Sequence, residues 1–456
     1  MAQTAPASTA RERRKVVAAS VVGTTIEWYD FFIYAFAANL VLAKLFFEPA
    51  GPSMMHLLSL ITIGLSFLFR PLGAFLGGHF GDKIGRQPML VITLMLMGIA
   101  TVGMGLLPTY DQIGMAAPII LILLRILQGL SAGGEWGGAV LMSVEHATPG
   151  KRGLFGVFPQ LGVPFGMLLA SAVLAIMRVI APGDAFDEWG WRVPFLFSIV
   201  LIIAGIVIRR TVDESPVFAE IAESREQKSA PILAVFKNHT PLVILSALLF
   251  AGNGAVGYML TGGYVQGLAS RTPEDGGLGY DPLQVQLAIL TAAVVWAIFT
   301  LLSGPLSDRF GRKNLMNVGW VIQALGVIPL FQFVFNGGVG GVLLGTCLLA
   351  IGLGLTYGPT AVWFAESFPA SIRYSGISIS YAIGGVIGGA FAPTIAQLLL
   401  QTYGDTWAIV AYLLFMTILG LFASAMLKDR SNIPLDVEFE RTGQWKVWVP
   451  EEPASR

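Results

Sequence analysis

The sequence predicts an all-α membrane protein in which twelve transmembrane helices form two six-helix bundles. Three observations carry that expectation. Of 456 residues, 55% are hydrophobic and only 12% are charged, about half the charged share of an ordinary soluble domain, so soluble domains of this total length could not be covered. Apolar runs of about 20 residues, long enough to cross a bilayer, recur along the whole chain. Two motifs of the first half also return in the second half at matching places.

The elements follow in order. Residues 1–18 form a polar lead that ends in Arg11, Arg13, Arg14 and Lys15. A basic start can mark a signal peptide, but Trp28, Asp30 and Phe31 fit a cleavage region poorly, so the first run reads as a retained span. Spans are expected near 19–43, 57–79, 88–107, 117–144, 154–177 and 191–209, which makes 19–209 the first bundle. A polar linker covers 210–240. The second bundle, 241–427, has spans near 241–264, 284–306, 314–335, 339–364, 376–400 and 406–427, and 428–456 is a tail. These runs are too long and too evenly apolar for the alternating strands of a β-barrel. Lys and Arg gather on one side: Arg11 to Lys15, Lys83, Arg86, Lys151, Arg152, Arg209, Arg210, Arg309, Arg312, Lys313, Arg373 and Lys428. That side should be cytoplasmic, with both termini inside, and the loop 265–283 should face outward. A formal net charge of +0 gives no pull toward nucleic acid. A single cysteine, Cys347, excludes an intrachain disulfide.

The echoes are specific. GDKIGR (81–86) matches SDRFGR (307–312), aligning Asp82 with Asp308, Gly85 with Gly311 and Arg86 with Arg312. WGGAVLMSVEHATPGKR (136–152) matches YGPTAVWFAESFPASIR (357–373), aligning Glu145 with Glu366 and Arg152 with Arg373. Such internal repeats are typical of secondary transporters, whose two bundles move around a central site. Gly81, Gly85 and Gly311 permit tight turns and close helix approach. The acids can accept from arginines or from the N–H groups of a helix N-terminus. Glu145 with Arg152, and Glu366 with Arg373, would pair at the inner ends of spans four and ten. Ordinary turns at a watery interface are the plain alternative. GxxxxGK[ST] is absent, so the glycines do not form a phosphate loop.

Buried charge is the other signal. At 1.5 Å per residue, Asp30 lies about 16 Å into span one and Arg125 about 12 Å into span four. Ionisable side chains at such depth usually face a cavity or a partner, so Asp30 and Arg125 are expected to pair, as a proton switch or as a fixed ion pair. Glu27, one turn before Asp30, could share the proton or brace the helix. Glu135, among glycines in SAGGEWGG, could bind the proton, contact substrate hydroxyls or pair with Arg70. His79 and His146 read as interface histidines. Tyr34, Gln128, Gln160, Asn253, Tyr258, Gln323, Tyr357 and Tyr381 could line a site together with Arg125, or serve helix packing. Trp136 and Trp363 could wall a ring or merely pack. Pro159 and Pro164 interrupt the hydrogen bonding of span five, and Gly162 and Gly166 give it a small face.

IEWYDFFIY (26–34), FLFRPLGAFLGGHFGDKIGR (67–86), LRILQGLSAGGEWGGA (124–139), WGWRVPF (189–195) and DESPVF (213–218) resemble the metabolite:proton symporters of the major facilitator superfamily. That group holds shikimate, 2-oxoglutarate, citrate and proline/betaine carriers, and GLSAGGEWGGA and WGWRVPF look most like its shikimate-type branch. The resemblance covers nearly the whole chain. It implies the major facilitator fold, transport without covalent chemistry, and a loop network that latches the cytoplasmic side and breaks during transport.

The expected function is therefore proton-coupled import of a small organic acid across the cell's inner membrane, with protons as coupling ions and lipid as surroundings. No cofactor or metal is expected, and the chain should work as a monomer. Competing readings are a betaine or proline carrier, an uncoupled facilitator, and a membrane sensor that binds without transporting. No nucleophile–base set or metal spacing points to an enzyme. The tail, with Trp445 and Trp448 flanking Lys446, could touch the membrane surface.

Overall fold

The computed structural model describes residues 10–84, 86–133, 135–148, 150–209, 231–261 and 263–446. The chain is all helical. In lipid every backbone polar group must be satisfied within the protein, and uninterrupted apolar runs do this as helices. Among the described residues, eleven helical segments are long and apolar enough to cross a membrane, and Val91–Leu106 is a shorter twelfth.

The first bundle consists of α1 (Ala10–Ala37), α2 (Pro52–Ile84), α3 (Arg86–Leu106), α4 (Ala116–Ala132, continued by Glu135–Glu145), α5 (Arg152–Ile180) and α6 (Arg192–Arg209). The second consists of α7 (Pro231–Thr261, continued by Tyr264–Ser270), α8 (Pro282–Phe310), α9 (Arg312–Asn336), α10 (Gly338–Tyr357, continued by Thr360–Ser367), α11 (Arg373–Gly384, continued through Gly385–Ala390 to Ala392–Tyr403) and α12 (Trp407–Met426). A short helix, α13 (Val437–Arg441), lies in the tail.

Helix α7 begins inside the stretch expected to be linker. PILAVF is apolar with proline at the first helical position, where the missing N–H is no loss. The helix breaks at His239 (φ −133°), two residues before Pro241. Residues 210–230 lie outside the described residues.

Apolar rows face outward. Phe415, Ile418, Phe422 and Met426 on α12, and Ile199, Val200, Ile203 and Val207 on α6, are all exposed. Such rows suit lipid, since soluble surfaces rarely show large apolar patches. Inside, small residues let backbones touch. A Cβ on Gly162 would meet Thr24 Oγ1 at 2.0 Å, so the small face of α5 seats on α1. A Cβ on Gly133 would meet the Arg70 carbonyl oxygen at 2.1 Å, so α4 presses on α2 beside Arg70. Helices α4 and α10 are both interrupted, after Ala132 and at Gly358–Pro359.

Candidate functional site

A polar core runs through the first bundle. Asp30 and Glu27 on α1 are 0% and 1% exposed. Asp30 Oδ1 accepts from Ser198 Oγ on α6 at 2.5 Å, and Oδ2 has no hydrogen-bond partner. The direct Asp30–Arg125 pair expected from depth is not formed. Arg125 turns toward α2 instead, where Nε and one Nη donate to the carbonyls of Thr62 and Ile63 and to Ser66 Oγ. Its guanidinium carbon lies 3.8 Å from the Tyr34 ring centroid, and Tyr34 Oη shares a 2.5 Å bond with Thr62. Gln128 stands between the two charges. Its Oε1 accepts from Arg125, and its Nε2 lies 3.4 Å from the Asp30 carbonyl and 3.2 Å from Thr101 Oγ1.

A second cluster joins the bundles at the interruptions of α4 and α10. The Trp136 ring stacks on Tyr381 at 3.8 Å, and Tyr381 stacks on Phe250 at 4.0 Å. Trp136 Nε1 donates to Gln160 Oε1 and Gln160 Nε2 donates to the Tyr357 carbonyl, each at 2.8 Å. The Tyr357 and Tyr381 hydroxyls are 3.3 Å apart. Tyr258 packs edge-on to Phe67 and Phe31 at 4.9 and 5.9 Å. A small cavity opens here, lined by Arg70, Ala132, Gly133, Trp136, Gly137, Ser378, Tyr381 and Ala382. Glu27 and Arg70 both lie within electrostatic reach of Tyr258, Tyr357 and Tyr381. Glu135 is fully buried, next to the lining residue Trp136.

Gln160, Tyr258, Tyr357 and Tyr381 thus come together, whereas Asn253 and Gln323 do not join them. Asn253 donates to Thr356, and Gln323 bonds to Thr356 and Thr417, a polar core within the second bundle. Polar residues in apolar spans look alike in sequence whichever helix face they occupy. Ser198, Phe250 and Ser378 carry no motif of their own and come forward only with the fold.

At the basic end of the molecule, Asp308 accepts from the N–H groups of Gly153 and Leu154 at 2.8 and 3.0 Å. It thereby caps the start of α5 across the seam. Gly311, at φ +86°, makes the turn between α8 and α9. Two expected pairings are exchanged. Glu366 binds Arg312 at 3.1 and 3.2 Å rather than Arg373. Arg373 reaches Glu145 of the other bundle at 3.5 Å, while Arg152 donates to the Ile433 carbonyl. Repeat alignment matched residues within each half, but the fold brings the two halves' ends face to face. Gly85 lies outside the described residues, as do the side chains of His79, Gly81, Asp82 and Arg86. His146 Nδ1 sits 2.7 Å from the Met142 carbonyl, on its own helix.

The tail crosses this end as a strap. Trp363 Nε1 donates to the Lys428 carbonyl at 3.1 Å, so Trp363 holds the tail rather than walling a ring. Asn432 N donates to Glu366 at 3.0 Å, and Arg373 donates to the Leu435 carbonyl at 2.9 Å. Glu440 on α13 accepts from Ser371 N and Oγ at 2.8 and 2.6 Å. Gly150 N donates to Asn432 Oδ1 at 3.2 Å, which ties the first bundle as well. Trp445 lies under Arg430, 4.1 Å from its guanidinium carbon, and is buried rather than set against lipid; Trp448 lies outside the described residues.

Apolar outer faces, two six-helix bundles and a small cavity on the seam define a multi-pass membrane transporter. A family model described as "Sugar (and other) transporter" matches residues 15–243, and one described as "Major Facilitator Superfamily" matches residues 273–451. The inner membrane metabolite transport protein YhjE of Escherichia coli (strain K12) is 39% identical over 90% of this chain and 93% of its own length. The shikimate transporter of the same organism is 33% identical over 91% and 94%. The proline/betaine transporter of Salmonella typhimurium is 33% identical over 92% and 85%. The proton:xylose symporter XylE bound to 6-bromo-6-deoxy-D-glucose shares the fold, with a TM-score of 0.75 at 18% identity over 95% of this chain and 100% of that one. The chain belongs to the major facilitator superfamily. It is a metabolite transporter and not an enzyme.

Proposed function

We propose that the protein imports a small organic acid together with protons, by alternating exposure of the seam to the two sides of the inner membrane. The observation that carries this reading is Asp30: a fully buried carboxylate with one oxygen unpartnered and, among the described residues, no cation in contact. An isolated charge is expensive at this depth, and taking up one proton removes it. A protonated Asp30 can donate as well as accept, and Gln128 links its backbone to Arg125. Loading and release would thus reach α2 and α4 through one amide. Glu27, a turn away, serves the same region as a second carboxylate.

The relative named for shikimate supports an acid as cargo. The gathering of Lys and Arg at the gate end supports cytoplasmic termini. Gradient-driven transport needs no cofactor or metal, and a twelve-helix chain can hold the whole pathway as a monomer. A betaine-type zwitterion is the second reading. It is supported by the proline/betaine relatives and by the stacked Trp136, Tyr381 and Phe250, since aromatic faces attract quaternary ammonium groups.

The test is internal pH recorded in proteoliposomes while shikimate, quinate, protocatechuate, 2-oxoglutarate, citrate, proline or betaine is added outside. Acidification with an organic acid is expected. Asp30→Asn should abolish it while substrate binding persists. Solute entry without acidification would make the protein a facilitator, and binding without entry would make it a sensor.

A further inference from the structure

We infer that Arg70, not Arg125, is the group that receives the substrate's carboxylate, in the cavity between the interruption of α4 and the start of α11. The inference rests on the organic-acid reading above and names the residue and ligand class of that same pathway.

Every nitrogen of Arg125 is engaged. Nε, Nη1 and Nη2 donate to the Thr62 carbonyl, to Gln128 and to the Ile63 carbonyl with Ser66, respectively, and one face lies on Tyr34. Arg125 is 0% exposed and does not line the cavity. A carboxylate could reach it only by stripping those bonds. Arg70 is also buried, at 5% exposure, yet it lines the cavity and its Nε has no hydrogen-bond partner. Its guanidinium carbon lies 4.2, 5.2 and 5.9 Å from the ring centroids of Phe67, Trp28 and Phe31. Aromatic stacking holds a guanidinium by its face and leaves the N–H edge, the fork that fits a carboxylate, to a partner.

The backbone is fixed as well. Pro71 follows Arg70 within α2, and Gly133 lies against the Arg70 carbonyl. Across the cavity, Ser378 Oγ has no partner and Tyr381 supplies a hydroxyl from the opposite bundle. A ligand whose carboxylate sits on Arg70 would therefore place its remaining polar groups on α11, bridging the parts that must move. The lining sets one guanidinium against two hydroxyls and the Trp136 ring, so the ligand class is a monocarboxylate that carries hydroxyls, with an apolar face toward Trp136.

The test measures dissociation constants by calorimetry on the full-length protein, for shikimate, quinate and protocatechuate and for their methyl esters. Wild type should prefer acid over ester by at least about tenfold, the scale of one charged hydrogen bond. Arg70→Gln should weaken acid binding by a similar factor and abolish the preference. Arg70→Lys should keep the preference at reduced affinity, and it carries the test if Arg70→Gln does not fold. Ser378→Leu, which fills the cavity from the other bundle, should abolish acid binding while sparing Arg70 and Arg125. A wild-type preference retained in Arg70→Gln, or unchanged acid affinity in Ser378→Leu, would overturn the inference alone. Failure of wild type to bind any of the acids would overturn both the inference and the organic-acid reading.

Discussion

Depth along a helix is one coordinate of a side chain, and direction about the axis is another that changes by about 100° per residue. Asp30 and Arg125 share the first and not the second, so hydropathy found both while the fold gave them different partners. The same limit separates Gln160, which meets Tyr357 on the seam, from Gln323, which stays within its own bundle. Asp30, Tyr34, Gln128 and the gate acids were legible because a polar residue in an apolar run needs a reason. Arg70 entered only as a possible partner for Glu135, because FLFRPLG lies toward the basic end of its span, where a charge draws little notice. Residue-level energetics give a sharp expectation at the gate. Arg312 and Glu366 are both fully buried, and breaking a buried pair by removing one partner costs about 3–5 kcal/mol. Arg312 keeps Asp308 at 2.7 Å when Glu366 is neutralised, so Glu366→Gln should lower the thermal midpoint in detergent by the lower part of that range. Adding Arg312→Met should lower it further, because Asp308 then loses its ion pair as well.

At the level of elements, twelve spans could be counted from apolar length, but their breaks and contacts could not. Helix α4 is interrupted after Ala132 and α10 at Gly358–Pro359, and the aromatic cluster and cavity sit beside these points. The α2–α4 contact has no slack, since a Cβ on Gly133 would lie 2.1 Å from a backbone oxygen. Gly133→Val should therefore destabilise the protein by about 1–3 kcal/mol or more, as overpacking does. It should also weaken acid binding by displacing Arg70, whereas Gly340→Val, at a position with open space around its Cβ, should leave binding unchanged. Calorimetry with shikimate on both variants separates these outcomes.

Across the whole molecule, the two bundles meet at the gate end through Asp308 on the start of α5 and Glu145 on Arg373, with the tail laid over both. The tail was the least legible region. DRSNIPLDVEFER has neither an apolar stripe nor a repeat, and its contacts depend on where twelve helices end. Opening this side must detach it. A chain ending at Leu427 should shift the population toward the open gate. In a Cys347→Ser background, a cysteine at Ser378 should then react faster with a membrane-impermeant thiol reagent applied from that side; an unchanged rate would show that the strap bears no load. Its grip has an experimental consequence. Arg152 and Arg373 hold the carbonyl oxygens of Ile433 and Leu435, and Glu366 holds the amide of Asn432. Those atoms are main-chain atoms, so an alanine scan of these tail positions would report the Asn432 side-chain bond to Gly150 and the burial of Ile433 and Leu435 while leaving the grip itself in place, and homologous tails could drift in spelling while keeping the same clasp.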